Sequence, residues 1–280
     1  MVAVGLGLLA ALLWGLHDYC VRMLASRADA LALLVLVFIV GAVLMAPFAL
    51  ISDGWDHFTP ITLGFSLVSG LFYAIGAYGL YCAFAIGPVR LVAPICGAYP
   101  LLSVAFHMMR GGEAGALVWL GVLAVVIGIS MVTRGEAEEG AGRRMLAVLW
   151  SLLAAIGFAL TFGFSQWAAE TAPETPVIWM ARLMAVTAVL IAVLMRGVSI
   201  TPIFAMARTA LLLGTLDTVA LMVVAHAGGF PHAEYAPVTA SMFGIVTVLL
   251  AWKFLKEAMR PIQWIGIMAS FGGLALLSLV

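Results

Sequence analysis

Long apolar stretches follow one another along the whole chain, separated by short clusters of glycine, proline and charged residues. Each stretch holds about 20 residues, the length that an α-helix needs to cross a hydrocarbon core of about 30 Å. Continuous apolar runs favour helices over a β-barrel, whose strands would alternate apolar and polar residues. The pattern therefore predicts an all-α integral membrane protein with ten transmembrane helices, at residues 2–21, 30–51, 61–85, 91–109, 115–133, 145–168, 177–195, 209–227, 235–255 and 262–280.

An internal repeat divides these ten helices into two groups of five. The stretch from Pro94 to Glu113 returns in diverged form from Pro237 to Glu257, and the two glutamates lie 144 positions apart. We predict a first repeat at residues 1–133, a polar linker at 134–144 and a second repeat at 145–280. Because five is an odd number, the second repeat enters the membrane from the opposite face. The repeats are therefore expected to be inverted, as in many secondary transporters.

Composition agrees with a membrane protein. The 280 residues are 65% hydrophobic and 9% charged, which is more apolar surface than a soluble fold can bury. The first apolar stretch lacks a basic start and is expected to be a retained span rather than a signal peptide. The net charge of zero and the lack of a basic stretch give no indication of nucleic-acid binding. Three widely separated cysteines form no metal or disulfide pattern, and no cofactor is expected.

Lysine and arginine are distributed unevenly between the predicted loops. The loops after the odd-numbered spans hold nearly all of them, whereas Arg110 stands on the other side. The positive-inside rule then places the odd-numbered loops in the cytoplasm and both termini outside. The residues on the cytoplasmic side would be Arg22, Arg27, Arg90, Arg134, Arg143, Arg144, Arg196, Arg208, Lys253, Lys256 and Arg260.

Several short motifs resemble a known family. They are Leu13-Trp14-Gly15 followed by Arg22, Tyr99-Pro100 with Gly112-Glu113 after it, and a Trp-x-Gly opening at Trp119 and Trp264. Together with the repeat, they resemble the drug/metabolite transporter superfamily. Within it they are most similar to the ten-helix EamA-type exporters, such as bacterial exporters of amino acids and metabolites. The second repeat departs from this pattern, with Phe243-Gly244 in place of Tyr99-Pro100.

The resemblance implies an inverted bundle of five plus five helices around a central substrate cavity, with helices five and ten at the periphery. It implies export or exchange of small metabolites, amino acids among them, in the inner membrane of the cell. It also implies cytoplasmic termini, whereas the charge count places them outside, and we follow the charge count.

Asp217 is the foremost candidate site residue, because it lies near the middle of span eight with no basic residue within one helical turn. A carboxylate at that depth costs about 2.5–3.5 kcal/mol unless it is neutral, paired or hydrated. It is expected to contact a substrate amine or to carry a coupling proton. A hydrogen-bonded structural role beside Thr215 and Thr218 is the alternative.

Span one carries a second cluster. Trp14, His17 and Asp18 share one helical face, so an indole, an imidazole and a carboxylate point together. Asp18 and Arg22 are also four positions apart and could form an interfacial ion pair instead. His17 could serve as a gate or proton acceptor, or simply as a hydrogen-bonded residue.

Aromatic residues supply further candidates in spans three and four. Tyr73, Tyr78 and, nearer the span end, Tyr81 give span three an aromatic surface, with an interfacial aromatic belt as the alternative to a cavity lining. Gly70, Gly76 and Gly79 allow close approach of another helix. Tyr73 is the repeat counterpart of Asp217, so pseudo-symmetry would place the two across the cavity from each other. Tyr99 precedes a proline that breaks span four, and exposed backbone at such a break is typical of a cavity wall; a plain packing kink is the alternative.

The remaining candidates are weaker. Trp179 and Arg182 lie in span seven; the arginine could meet a substrate carboxylate or extend to the nearby interface. Glu113 and Glu257 are symmetric and are expected to anchor loops rather than substrate. The last group comprises His107, Gln166, Trp167 and His226.

The sequence thus favours a secondary transporter over other membrane proteins. It has no Walker-type motif for ATP hydrolysis, no paired aspartates of an intramembrane protease and no filter loop of a channel. A largely neutral aromatic cavity with one aspartate suits apolar or aromatic amino acids or hydrophobic cations. Nucleotide-sugars would call for several buried cations, and only Arg182 is available. Proton coupling is open, a monomer is expected, and the partners are the substrate and the bilayer.

Overall fold

The computed structural model describes residues 2–53, 55–99, 101–102, 108, 115–133, 141–200, 206–227, 230–231, 235–240 and 242–277. Within these residues all regular structure is helical, in agreement with the predicted fold class. The helices are α1 (Val2–Leu24), α2 (Ala30–Leu50), α3 (Pro60–Ile86), α4 (Val89–Cys96), α5 (Ala116–Thr133), α6 (Ala141–Ala169), α7 (Glu174–Arg196), α8 (Ala207–Ala227), α9 (Tyr235–Ala240), α10 (Phe243–Leu250) and α11 (Pro261–Leu277). A short 3₁₀ helix (Trp55–His57) precedes α3, and a π-helical turn (Ala251–Leu255) extends α10.

Six of the described helices are long and apolar enough to cross a membrane, namely α1, α2, α3, α6, α7 and α8. Shorter apolar helices at α5, α10 with its π-helical extension, and α11 accompany them. The chain is therefore a membrane protein with several apolar spans. The count of ten transmembrane helices stays a prediction.

Helix ends follow local sequence signals. The side chain of Asp29 accepts hydrogen bonds from Leu31 N and Ala32 N at the start of α2. Thr59 caps α3 in the same way, with Pro60 at the first helical position, where no amide donor is needed. Gly197 ends α7 with φ of 63°, a left-handed conformation that glycine adopts without a steric penalty.

The two repeats pack on each other more than on themselves. Helix α3 lies along α6 and α7, α1 lies along α8, α2 contacts α7 and α8, and α5 pairs with α11. Glycines on α3 permit its close contact with α6, as predicted. A Cβ on Gly79 would stand 2.9 Å from Trp150 O, and a Cβ on Gly76 3.1 Å from Phe158 N. The repeats are therefore interlocked, and a cavity at the centre of the fold draws residues from both.

The predicted fourth and ninth spans are both broken. Helix α4 ends at Cys96 and a turn follows at Gly97 and Ala98, while α9 ends at Ala240 before α10 begins at Phe243. The sequence predicted a break of span four at Tyr99-Pro100, a pair that span nine lacks. The second repeat is nevertheless broken at the matching place, without a proline equivalent to Pro100, which itself lies outside the described residues. The break is thus a feature shared by both repeats.

Candidate functional site

A cavity of about 180 Å³ lies between the two repeats. Seven of the nine predicted site residues line it: Trp14, His17, Asp18, Tyr73, Tyr99, Arg182 and Asp217. They come from α1, α3, α7, α8 and the segment after α4, so distant parts of the sequence converge on one space.

Asp217 is the centre of a hydrogen-bond network that joins four helices. Its Oδ2 accepts from Arg182 Nη2 on α7 at 2.6 Å and from the Tyr73 hydroxyl on α3 at 2.9 Å. Its Oδ1 accepts from Trp14 Nε1 on α1 at 3.2 Å. The predicted placement of Tyr73 across the cavity is therefore wrong, since the two residues are in direct contact. Asp217 is not a lone carboxylate, because an arginine distant in sequence pairs with it.

Arg182 is the cationic member of this pair. It is only 2% exposed, so extension of its side chain to the membrane interface is excluded. Its guanidinium carbon also lies 5.3 Å from the Tyr73 ring centroid, a cation–π distance. In the described part of the chain its Nε and Nη1 have no hydrogen-bond partner, and neither does the nearby Thr218 Oγ1. The guanidinium is thus fixed through one of its two terminal nitrogens only.

Gly41 on α2 makes room for this guanidinium. A Cβ at that position would stand 2.5 Å from Arg182 Nη1 and 2.8 Å from Thr218 Oγ1. Any larger side chain would have to displace the arginine or the threonine. Gly41 therefore positions the ion pair without contributing a polar group to it.

Asp18 forms a second polar centre in the cavity. Its Oδ1 lies 3.0 Å from His17 Nδ1, and the Tyr81 hydroxyl lies 3.4 Å from His17 Nε2. The alternative pairing of Asp18 with Arg22 does not occur. Both Asp18 and His17 are buried, so the interior of the cavity contains two aspartates and one guanidinium rather than the single aspartate expected from the sequence.

The cavity also contains phenylalanines that the sequence interpretation missed. Phe38, Phe158 and Phe162 line it, and their rings stack or tilt against tyrosines. Phe38 lies 4.9 Å from the Tyr73 ring centroid, and Phe162 lies 5.1 Å from that of Tyr99. A signal for them was present: each lies 144 positions from a polar candidate.

The offset of 144 positions between the repeats divides most of the polar and aromatic residues of the cavity into two sets of equivalent positions. We call Trp14, Asp18, Arg182 and Asp217 the polar set, and Phe158, Phe162, Phe38 and Tyr73, their respective equivalents, the aromatic set. Tyr99 and Phe243 are another equivalent pair, and both line the cavity. The repeats therefore supply the same positions to one space but different chemistry.

Two predicted site residues lie elsewhere. Tyr78 accepts a hydrogen bond from Arg196 Nη1 at 2.8 Å, and Trp179 donates to Ala42 O at 3.0 Å. Neither lines the cavity. The weaker candidates Gln166, Trp167 and His226 are also absent from its lining, and His107 is outside the described residues.

One end of the cavity reaches the surface. Glu174, the exposed first residue of α7, lines the cavity there. On the same face the first turn of α3 and the loop before α7 are joined by a hydrogen bond between the hydroxyls of Thr62 and Thr171. A carboxylate thus marks the mouth of the cavity, while the hydroxyls of the buried Ser69 and the half-buried Ser165, which lie 2.8 Å apart, line it further in.

The opposite face of the bundle is tied together across the repeats. Glu257 accepts hydrogen bonds from Val89 N at 3.0 Å and Arg90 N at 3.4 Å, supplying the cap that α4 lacks from its own N-cap residue Pro88. Arg22 Nε lies 3.7 Å from Glu257 Oε1. The predicted anchoring role of Glu257 is confirmed. Its counterpart Glu113 lies outside the described residues. We call the contacts of Glu257 with Arg22, Val89 and Arg90 the Glu257 cluster.

The sequence matches the EamA-like transporter family over residues 1–134 and again over residues 145–279. The chain belongs to the EamA-like transporter family. The resemblance to the drug/metabolite transporter superfamily is therefore confirmed, and this EamA-like protein is a membrane transporter of small solutes.

Comparison with solved structures supports the fold. One crystal structure, described only as that of a protein, superposes with a TM-score of 0.66 and shares 17% sequence identity. The match covers 99% of this chain and 96% of the other. No curated protein matches the EamA-like chain.

Proposed function

We propose that this EamA-like protein is a secondary transporter that exports or exchanges small amphipathic metabolites, with apolar and aromatic amino acids as its substrates. The observation that supports this most strongly is the composition of the cavity. The polar set offers charged groups to a substrate head, and the aromatic set offers rings to an apolar side chain. Both sets are on helices, which hold their side chains in fixed positions.

The charges of the cavity argue against large anionic substrates. Arg182 is the only cationic side chain, apart from His17, that lines the described cavity, and it is already paired with Asp217. A nucleotide-sugar would bring phosphate charges into a space that also contains Asp18 and Glu174. Repulsion between like charges in a low-dielectric site disfavours such a ligand.

Alternating access agrees with the difference between the two ends of the bundle. The cavity reaches the surface beside Glu174, while the Glu257 cluster joins α1, α4 and the end of the π-helical turn on the opposite face. In the orientation given by the charge count, the mouth faces outside and the cluster faces the cytoplasm. Transport then requires the Glu257 cluster to separate in each cycle while contacts form around Glu174.

A hydrophobic cation is the second candidate substrate. It is favoured by Asp18, whose Oδ2 has no hydrogen-bond partner in the part of the chain that the structure describes. A lone cation beside aromatic rings and a carboxylate would be well stabilised. Amino acids and cations are therefore to be compared in one assay.

The test is a flux assay with the purified full chain in proteoliposomes. Labelled amino acids, hydrophobic cations and nucleotide-sugars are supplied with and without a pH gradient. We expect flux of aromatic and apolar amino acids, and acceleration by the gradient would identify proton coupling. Flux of a nucleotide-sugar without any amino acid transport would overturn the proposal.

Accessibility of the mouth tests the orientation and the location in the cell membrane. Glu174→Cys in a chain whose Cys20, Cys82 and Cys96 are replaced by serine is expected to react with a membrane-impermeant maleimide added to intact cells. Labelling only after the membrane is opened would reverse the orientation.

A further inference from the structure

The buried ion pair of Arg182 and Asp217 has the same charge pattern as the head of a free amino acid. The pair is one cation and one carboxylate 2.6 Å apart, the amino acid head is one ammonium and one carboxylate on a single carbon, and neither has a net charge. We infer that a zwitterionic substrate binds by inserting into this pair, its carboxylate on Arg182 and its ammonium on Asp217. The inference rests on the proposed transport of amino acids and specifies how the cavity selects them.

Charge balance is the first argument. Separating Arg182 from Asp217 leaves two buried charges without partners, which is costly in a site of low dielectric constant. A zwitterion supplies a new partner to each of them at once. A cation or an anion alone would satisfy one residue and leave the other unpaired.

The donors around the pair are the second argument. When Arg182 turns away, Asp217 keeps the hydrogen bonds from Trp14 Nε1 and the Tyr73 hydroxyl, so its carboxylate stays oriented. Arg182 has two nitrogens, Nε and Nη1, that the described residues leave without acceptors. A substrate carboxylate could accept from Nε and one terminal nitrogen together, the two-bond geometry that guanidinium groups favour.

The surroundings provide space for the rest of the substrate. Both members of the pair line the cavity, and so do Phe38, Phe158 and Phe162. An α-substituent on an amino acid inserted at the pair would lie in the same cavity as these rings. The site therefore distinguishes substrates by the head through the ion pair and by the side chain through the aromatic set.

Three ligands with the same aromatic side chain test the inference on the purified full-length protein in detergent: L-phenylalanine, phenethylamine, which lacks the carboxylate, and 3-phenylpropionate, which lacks the amine. Dissociation constants are measured by titration calorimetry. We expect the wild-type protein to bind phenylalanine at least tenfold more tightly than either of the others. Equal affinity for phenylalanine and phenethylamine would overturn the inference.

Two variants give a readout that a purely structural role would not produce. Asp217→Asn leaves the Arg182 charge unpaired, so the affinity of this variant for 3-phenylpropionate relative to phenylalanine is expected to rise at least tenfold. Arg182→Gln leaves the Asp217 charge unpaired, so the affinity of this variant for phenethylamine relative to phenylalanine is expected to rise at least tenfold. The inference fails if both folded variants keep the wild-type order of affinities. Arg196→Gln, which removes an arginine outside the cavity, is the matched control and should leave all three affinities unchanged.

If a single variant does not fold, the comparison of the three ligands on the wild-type protein still decides the inference. The double variant Arg182→Gln/Asp217→Asn replaces both charged side chains by neutral ones and so leaves no unpaired charge. It is expected to lose the preference for the zwitterion. Transport of labelled phenylalanine by the wild-type protein separates the two proposals. Transport without a preference for the zwitterion refutes the insertion alone, whereas no amino acid transport refutes the proposed function.

Discussion

The polar set and the aromatic set occupy equivalent positions of the two repeats but differ in how their side chains are held. Asp217 accepts directional hydrogen bonds from Arg182 on α7, Tyr73 on α3 and Trp14 on α1. Phe38 and Phe162, at equivalent positions, are held by ring contacts with tyrosines. Each position of the cavity thus occurs twice, once in each repeat. At each such pair of positions, one repeat has the polar-set residue and the other has the aromatic-set residue. Each set takes two members from each repeat, so neither repeat alone supplies the charges or the rings.

The largest effect is expected when the polar set is broken at its centre. Asp217→Ala leaves the Arg182 guanidinium buried without a counter-charge, and removing one partner of a buried pair costs about 3–5 kcal/mol. We expect a large drop in thermal unfolding temperature in detergent and loss of transport. Phe38→Ala changes the aromatic-set residue that is equivalent to Arg182 and tests whether it is needed for stability and transport to the same extent. This variant should lower stability while keeping residual transport. Wild-type stability of Asp217→Ala would show that the pair is not buried as described.

Tyr73 belongs to the aromatic set by position and to the Asp217 network by its hydroxyl. Tyr73→Phe removes that donor and keeps the ring stacked on Phe38, so it isolates the hydrogen bond. Hydrogen bonds to charged groups contribute about 1.5–3 kcal/mol, and we expect a loss of that size by chemical denaturation. Tyr78→Phe, whose hydroxyl bonds an arginine outside the cavity, is the control and should change stability by about 0.5 kcal/mol or less. Equal effects of the two substitutions would contradict the role given to Tyr73.

The sequence predicted the all-helical fold and the membrane location, because their signals are local. Apolar runs of span length, a capping residue such as Thr59 and a repeat with a fixed offset can each be read without tertiary contacts. The cavity was predicted only in part. The pairing of Arg182 with Asp217 joins residues 35 positions apart on two helices, and no helical periodicity reveals it. Phe162 looked like ordinary lipid-facing or core apolar sequence, and only the offset from Asp18 marks it as a cavity position.

Gly41 allows a test of the polar set that leaves its side chains unchanged. Gly41→Ala would place a Cβ against Arg182 Nη1 and Thr218 Oγ1 and so push the guanidinium away from Asp217. Overpacking of this kind costs about 1–3 kcal/mol. We expect lower stability and weaker binding of amino acids, measured by thermal unfolding and uptake. Gly5→Ala on α1, where a new Cβ meets nothing within 4 Å, is the matched control and should be neutral. A Gly41→Ala protein with wild-type uptake would show that the guanidinium can move freely.

The smallest expected effect tests the aromatic set. Phe162→Ala removes a ring that lines the cavity and stacks on Tyr99, and such a ring contact contributes about 0.5–1.5 kcal/mol beyond its buried area. We expect KM for phenylalanine to rise about fivefold to tenfold, since about 1.4 kcal/mol corresponds to a factor of ten. KM for alanine should stay nearly constant, because its methyl group does not reach a ring. Phe164→Ala is the control, two positions along the same helix, where the ring stacks on Phe72 outside the cavity. If Phe162→Ala raises KM for both amino acids alike, the aromatic set shapes the cavity as a whole and does not select the substrate side chain.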